Sequence, residues 1–178
     1  MLTKLIFRIK KMVANIINQL KLKKIQLLVL DFDGVLTDNR VFVDENGIES
    51  VACNRGDGLG IELLKKSKNI ETIVISKEKN KVVQARCAKL SIECFNGIDE
   101  KLEILKSVSC KKGISLVNIA YIGNDVNDVS CLNAVGLGVV VHDAHKTALD
   151  AADLVLNRNG GHGAVREFID MILEQQSL

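Results

Sequence analysis

A three-layer α/β fold built on a parallel sheet is predicted by three features of this chain. Strand-like apolar runs alternate with helix-like stretches, the first run is apolar on both faces, and acidic or polar residues gather where such runs stop. The run Gln26-Leu27-Leu28-Val29-Leu30 has the continuous hydrophobicity of a central strand and ends in Asp31-Phe32-Asp33-Gly34. Strand alternation aims Asp31 and Asp33 the same way, and Gly34 permits a sharp turn where they leave the sheet. Open α/β sheets bind ligands at the carboxyl ends of their strands. Two acids there repel each other unless a cation lies between them or one holds a proton. A solvated strand end with a turn-forming Asp-Gly is the simpler alternative.

The remaining elements follow in order. Val41-Phe42-Val43 and Glu49-Ser50-Val51-Ala52 flank Asp44-Glu45-Asn46-Gly47, whose Asn-Gly marks a hairpin. A helix is expected from about Gly58 to Ser67, then a strand Ile73-Val74-Ile75 ending in Ser76, a helix from about Lys79 to Leu90 and a strand from Ile92 to Phe95. Asp99 to Lys111, with Lys101 near its start, reads as a helix. The strand Asn118-Ile119-Ala120-Tyr121-Ile122 runs into Gly123-Asn124-Asp125-Val126-Asn127-Asp128, followed by a helix to Ala134. Strands at Gly138–Val141 and Leu154–Leu156 and a helix from Ala164 to Leu173 complete the unit. No Pro-rich or Ser-rich linker interrupts residues 25–178, which therefore read as one domain.

Composition narrows the function. At 178 residues and 47% hydrophobic, the chain can bury a full core but leaves little room for a second, covering domain. Five cysteines (Cys53, Cys87, Cys94, Cys110, Cys131) form no Cys-x-x-Cys, which suits a reduced, cytoplasmic chain with buried thiols. His142, His145 and His162 are too scattered for a metal cluster. With 3% aromatics and no Trp, base stacking is unsupported and a nucleic-acid partner is not expected.

Residues 1–24 stand apart. They carry Lys4, Arg8, Lys10, Lys11, Lys21, Lys23 and Lys24 with no acid, and Leu2, Leu5, Ile6, Ile9, Met12, Val13, Ile16, Ile17 and Leu20 recur at helical spacing. This is a basic amphipathic helix, too interrupted by charge to span a bilayer and without a signal-peptide pattern. It packs on the domain or on a neighbouring subunit; contact with an anionic membrane surface is the less favoured alternative.

The ordered set of Asp-x-Asp-Gly, Ser76, Lys101 and Gly-Asn-Asp-x-x-Asp resembles the haloacid dehalogenase superfamily of phosphohydrolases. That resemblance implies a Rossmann-like three-layer sheet, here capless with a small β-hairpin, and a Mg²⁺ cofactor. It makes Asp31 the nucleophile that forms an aspartyl phosphate, and Asp33 the acid and base whose carbonyl also binds metal. Ser76 would bond a phosphoryl oxygen and Lys101 would neutralise the nucleophile and the phosphoryl group. The metal set would come from Asp31, Asp33, Asn124, Asp125 and Asp128. Many relatives read Gly-Asp-Asp where this chain has Gly123-Asn124-Asp125, so either Asn124 or Asp125 is the inner ligand. Each residue also has a plainer role: Lys101 as a surface partner of Asp99 or Glu100, Ser76 as a cap of the helix after it, and Asp125 and Asp128 as caps of theirs.

Over residues 25–174 the resemblance is narrower. Asp33-Gly34-Val35-Leu36-Thr37-Asp38, Asn54-Arg55-Gly56-Asp57-Gly58, Arg86-Cys87-Ala88-Lys89-Leu90, Asp143-Ala144-His145 and Gly160-Gly161-His162-Gly163-Ala164-Val165-Arg166-Glu167 look like the 3-deoxy-D-manno-octulosonate 8-phosphate phosphatase family. That family is tetrameric, a neighbour's C-terminal segment helps close each site, and it includes sialic-acid-type nonulosonate 9-phosphate phosphatases. The implied substrate is a phosphorylated sugar acid met by Asn54, Arg55, Gly56, Asp57, Gly58, Glu78, Arg86 and Lys89. Octulosonate enzymes usually have Thr-Gly-Arg where this chain has Ser76-Lys77-Glu78, so the nonulosonate branch is favoured and the octulosonate is the alternative. Two other classes fit less well: a signalling receiver domain, whose motif order differs, and a non-catalytic oligomerisation domain of a cytidylyltransferase, which would not need the four motif residues.

Overall fold

In the computed structural model, residues 12 and 16–176 are described. The part of the expected N-terminal helix before residue 16, Met12 apart, lies outside them. Six parallel strands form one sheet in the order β5-β4-β1-β6-β7-β8: β1 Leu27–Leu30, β4 Glu71–Ile75, β5 Glu93–Phe95, β6 Ile119–Gly123, β7 Leu137–Val140 and β8 Leu154–Val155. Every residue of β1 is fully buried, as a central strand with helices on both faces requires.

The helices are α1 Arg55–Lys68, α2 Lys81–Leu90, α3 Lys101–Lys112, α4 Val129–Ala134, α5 Lys146–Ala151 and α6 Ala164–Gln175. α1 packs along α6 and beside α2 on one face, whereas α3, α4 and α5 pack in sequence on the other. From β1 the chain moves outward to β4 and β5, then returns to β6 on the opposite side of β1. This reversal opens a crevice at the carboxyl ends of β1 and its neighbours, the position where such sheets hold ligands.

Local chemistry sets the helix boundaries. Asn54 caps α1 by accepting from the Gly56 amide, so the helix starts three residues earlier than its apolar pattern predicts. It ends at Asn69 in the left-handed region with Lys65, Lys66 and Lys68 in its last turn, where cations favour the helix dipole. α5 was not foreseen: its six residues are too few to show a period, and its start is signalled only by the His145 cap, which accepts from Thr147. Cys110 is exposed, against the expectation of buried thiols.

β2 Phe42–Val43 and β3 Glu49–Ser50 pair as the expected antiparallel hairpin. Its base is a bridge between Thr37 and Cys53, beside the turn that follows β1. The Asn80 amide donates to Glu49 at 2.8 Å, tying the hairpin to the start of α2.

Candidate active site

The sheet register sets Leu30 of β1 level with Val74 of β4 and Ile122 of β6, so three adjacent strands end within one residue of each other. Asp31 follows β1, Ser76 follows β4 and Asn124 follows β6. Strand geometry stops at Leu30, so the turn and not strand alternation brings Asp33 round to Asp31. Gly34 makes that turn with φ +74°, and a Cβ there would fall on the Asn124 amide. Glycine is therefore needed twice over, for backbone sign and for space.

Asp31, Asp33, Ser76, Lys77, Glu78, Lys79 and Asn127 line one cleft of about 390 Å³. Lys101, at the start of α3, is only 2% exposed although it is a lysine. Its ammonium donates to Asp31 Oδ1 at 2.9 Å and to Asp128 Oδ1 at 2.8 Å. Asp99 meets Lys77 instead, at 3.4 Å, so the surface-pair alternative for Lys101 does not hold. Nor does Ser76 cap α2: Asn80 does so, accepting from the Val82 amide, whereas the Ser76 hydroxyl accepts from Glu78 N at 3.1 Å and keeps its proton to donate.

Asp128 is the hub beneath the cleft. Its Oδ1 accepts from Lys101 and from the Tyr121 hydroxyl at 2.7 Å, and its Oδ2 accepts from the amides of Asn124 at 2.9 Å and Asp125 at 3.2 Å. Four donors occupy the lone pairs of this carboxylate, which leaves it orienting Lys101 and the β6 loop. Asp125 turns its carboxylate to the Val126 amide and caps the short 3₁₀ turn Val126–Asp128. Asn124 Oδ1 is buried without a hydrogen-bond partner. An orphaned buried oxygen is a poor arrangement in itself, and at the end of the strand adjacent to that of Asp31 it suits a hard divalent cation. Asp31 and Asn124 thus fit such an ion, which would supply positive charge to the phosphoryl oxygens.

Burial pushes the Asp31 carboxyl up to about 7; the charge of Asp128 adds to this and Lys101 opposes it. Burial also raises Asp33, with Glu78 and Glu49 adding to it and Thr37 opposing. A carboxyl so raised holds its proton more readily than a free one, the direction a general acid needs. Thr37, Lys79, Asn127 and Tyr121 were not foreseen at the site. Tyr121 is a β6 core residue by pattern, and only its hydroxyl bond to Asp128 sets it apart.

The other predicted substrate residues lie elsewhere within one chain. Arg55, Gly58, Arg86 and Lys89 line a second groove of about 650 Å³ between the hairpin exit, α1 and α2. Asn54 Oδ1 is committed to its cap at Gly56, and its carbonyl accepts from Arg86 at 3.0 Å. Asp57 is fully buried, and its Oδ1 accepts from Arg166 N at 2.8 Å at the start of α6. Glu78 is at the cleft, but its Oε1 already accepts from Lys79 N and Asn80 N at 2.6 and 2.7 Å. The loops after β7 and β8 support the site: Gly161 N donates to Val35 O, His145 N to Asn124 O, and Gly160 N to Asp143 Oδ1.

The chain is 41% identical over 157 residues to a 3-deoxy-D-manno-octulosonate 8-phosphate phosphatase of Salmonella typhi, covering 88% of this chain and 83% of that one. Among solved structures, the Moraxella catarrhalis 3-deoxy-D-manno-octulosonate 8-phosphate phosphatase in complex with a magnesium ion, a phosphate ion and a KDO molecule superposes with a TM-score of 0.86 at 34% identity, over 89% of this chain and 91% of that one. The cobalt-bound deoxy-D-mannose-octulosonate 8-phosphate phosphatase of Haemophilus influenzae does so with a TM-score of 0.84 at 36% identity, over 88% and 92%. The model of the haloacid dehalogenase-like hydrolases matches residues 8–169, and by this match and these identities the chain belongs to that family and is a phosphoric monoester hydrolase.

Proposed function

We propose that this enzyme hydrolyses 3-deoxy-D-manno-octulosonate 8-phosphate in a Mg²⁺-dependent reaction. The observation that carries the catalytic part is the convergence of Asp31, Asp33 and Ser76 on one cleft with the Lys101 ammonium 2.9 Å from Asp31. The substrate is supported by the 41% identity to the Salmonella typhi enzyme and by the likeness to the Moraxella catarrhalis complex, and this favours the octulosonate over the nonulosonate.

Asp31 attacks phosphorus and forms an aspartyl phosphate as the bond to the sugar oxygen breaks. Asp33 gives its proton to that leaving alkoxide, then takes one from the water that hydrolyses the aspartyl phosphate. Lys101 opposes the burial that favours the protonated form of Asp31, and Ser76 donates to a phosphoryl oxygen. Asp31, the Asp33 carbonyl and Asn124 would hold the Mg²⁺. Val41, Phe42, Val43 and Ile48 stand exposed on the hairpin, an apolar surface that supports assembly into a homotetramer.

Phosphate release across 8- and 9-phosphorylated ulosonic acids, with and without Mg²⁺, tests this reading. The highest kcat/KM is expected for octulosonate 8-phosphate. A preferred 9-phosphate would return the assignment to the nonulosonate, which Glu78 at the cleft favours. In that case Glu78→Arg would lower kcat/KM for the 9-phosphate by about 1–3 kcal/mol relative to the 8-phosphate. Asn124→Asp is expected to lower the Mg²⁺ concentration needed for half-maximal rate, since a formal charge is added at the ligand. An unchanged requirement, with activity abolished in Asp125→Ala, would move the ligand to Asp125.

A further inference from the structure

The helix that leads into β1, described over residues 16–22, faces the wrong way for a helix that serves only the domain. A surface helix normally buries its apolar stripe and shows water its polar side. Here polar groups make the attachment: Asn18 Nδ2 donates to Asp153 O at 3.1 Å, and Lys21 Nζ meets Asp153 Oδ1 at 2.9 Å. Leu22 is the buried apolar anchor, with its carbonyl accepting from Gln176. Met12, Ile16, Ile17 and Leu20 remain 59, 49, 47 and 57% exposed. At about 100° per residue, Ile16, Leu20 and Ile17 fall within one arc of about 100°, opposite Asn18 and Leu22.

Charge selects what covers this arc. Residues 1–24 hold seven cations and no acid, so with a whole-chain charge of +2 the remainder carries 2 − 7 = −5. In a two-fold contact between copies the same stretch would meet itself, and like charges would oppose each other. An anionic lipid surface complements both the apolar arc and the positive charge of the stretch.

We propose that this helix docks the enzyme on an anionic membrane surface. Gln26 N bonds Asn118 O at the amino end of the sheet, so the helix enters the fold at the end opposite Asp31. Lipid seated on the helix therefore leaves the catalytic cleft open to a water-soluble substrate. Lys23 and Lys24 are exposed at the junction and add to the attraction.

Co-sedimentation of the full chain with vesicles of phosphatidylglycerol and phosphatidylcholine, against phosphatidylcholine alone, tests this. The wild type is expected to pellet with the anionic vesicles and to be released as salt rises. The double variant Ile16→Glu/Leu20→Glu, and separately Lys23→Glu/Lys24→Glu, should each lower the partition coefficient about tenfold or more with phosphatase activity unchanged. Failure of the wild type to bind, equal binding to neutral vesicles, or variants that pellet as well as wild type would overturn the proposal. So would absence of vesicle binding together with a lower solution mass for Ile16→Glu/Leu20→Glu, which would assign the face to a second copy of the chain.

Discussion

The loop after β6 and the segment that opens α1 are built from similar parts and do different work. Each begins with an Asx side chain that caps a helical turn, Asp125 in one and Asn54 in the other, and each buries an aspartate three residues on. Asp128 has both oxygens satisfied, by Lys101, Tyr121 and two backbone amides. Asp57 has one oxygen on Arg166 N and leaves Oδ2 without a partner, and burial pushes its carboxyl up to about 6. A buried charge is tolerable when its partners are complete and becomes a liability when they are not. The difference separates a network that holds Lys101, and through it Asp31, from a stitch between two helices.

The sharpest test of the cleft that Asp128 and Lys101 support is Asp31→Asn. Phosphate release should fall by at least about 10⁴-fold, as for loss of a covalent nucleophile. The fold should survive, because the change removes a buried like charge next to Asp128. Undiminished turnover in a folded variant would remove Asp31 from the chemistry.

Asp33→Asn should cost about 10²–10⁴-fold on a sugar phosphate and much less on a nitrophenyl ester, whose leaving group needs no proton. Equal losses on the two substrates would end its role as the acid.

Asp128→Asn breaks the complete network. Urea unfolding should show a loss of about 3–5 kcal/mol, since the buried Lys101 loses a partner and an amide cannot accept from all four donors. A loss no larger than that at Asp57 would refute the contrast between the two segments.

Asp57→Asn is expected to do the reverse. The folded protein holds the Asp57 proton up to about pH 6, whereas the unfolded chain releases it near the ordinary carboxylate range. Stability from this group is therefore lost as pH rises between those values, and the penalty persists above about pH 6. Asparagine keeps the acceptor for Arg166 N and removes that penalty, so the variant should gain about 1–3 kcal/mol at pH 8 and nothing at pH 4. Equal stability changes at both pH values would show that Asp57 is not strained by its charge.

Much of the fold was legible in order and little of it in detail. The apolar run of β1, the Asn-Gly of the hairpin and the alternation of elements report local chain physics, and the six-stranded sheet follows them. Asn54 and Asn80 moved two helix starts away from their apolar patterns because a cap is set by one side chain, not by a period. The leaning toward a nonulosonate rests on Ser76-Lys77-Glu78 and Gly123-Asn124-Asp125, and of these Glu78 bonds the backbone of its own loop through Oε1.

By itself the sequence determined which residues could carry the chemistry, since carboxylates, a hydroxyl, a lysine and an amide at strand ends are a matter of residue type and spacing. Tertiary structure decided where each of them sits and what it bonds. The register of β1 with β4 and β6 brings Asp31, Ser76 and Asn124 to the same edge of the sheet, within one residue of a common level, and burial lifts Asp31 to about 7 and raises Asp33. Burial also turns Lys101 from a nominal surface residue into the bridge between two carboxylates. The same folding sent Arg55, Arg86 and Lys89 to a different groove and left Ile16, Ile17 and Leu20 facing outward. Solvent exclusion and cross-strand distance arise only when segments far apart in the chain are packed together, so no local pattern encodes them.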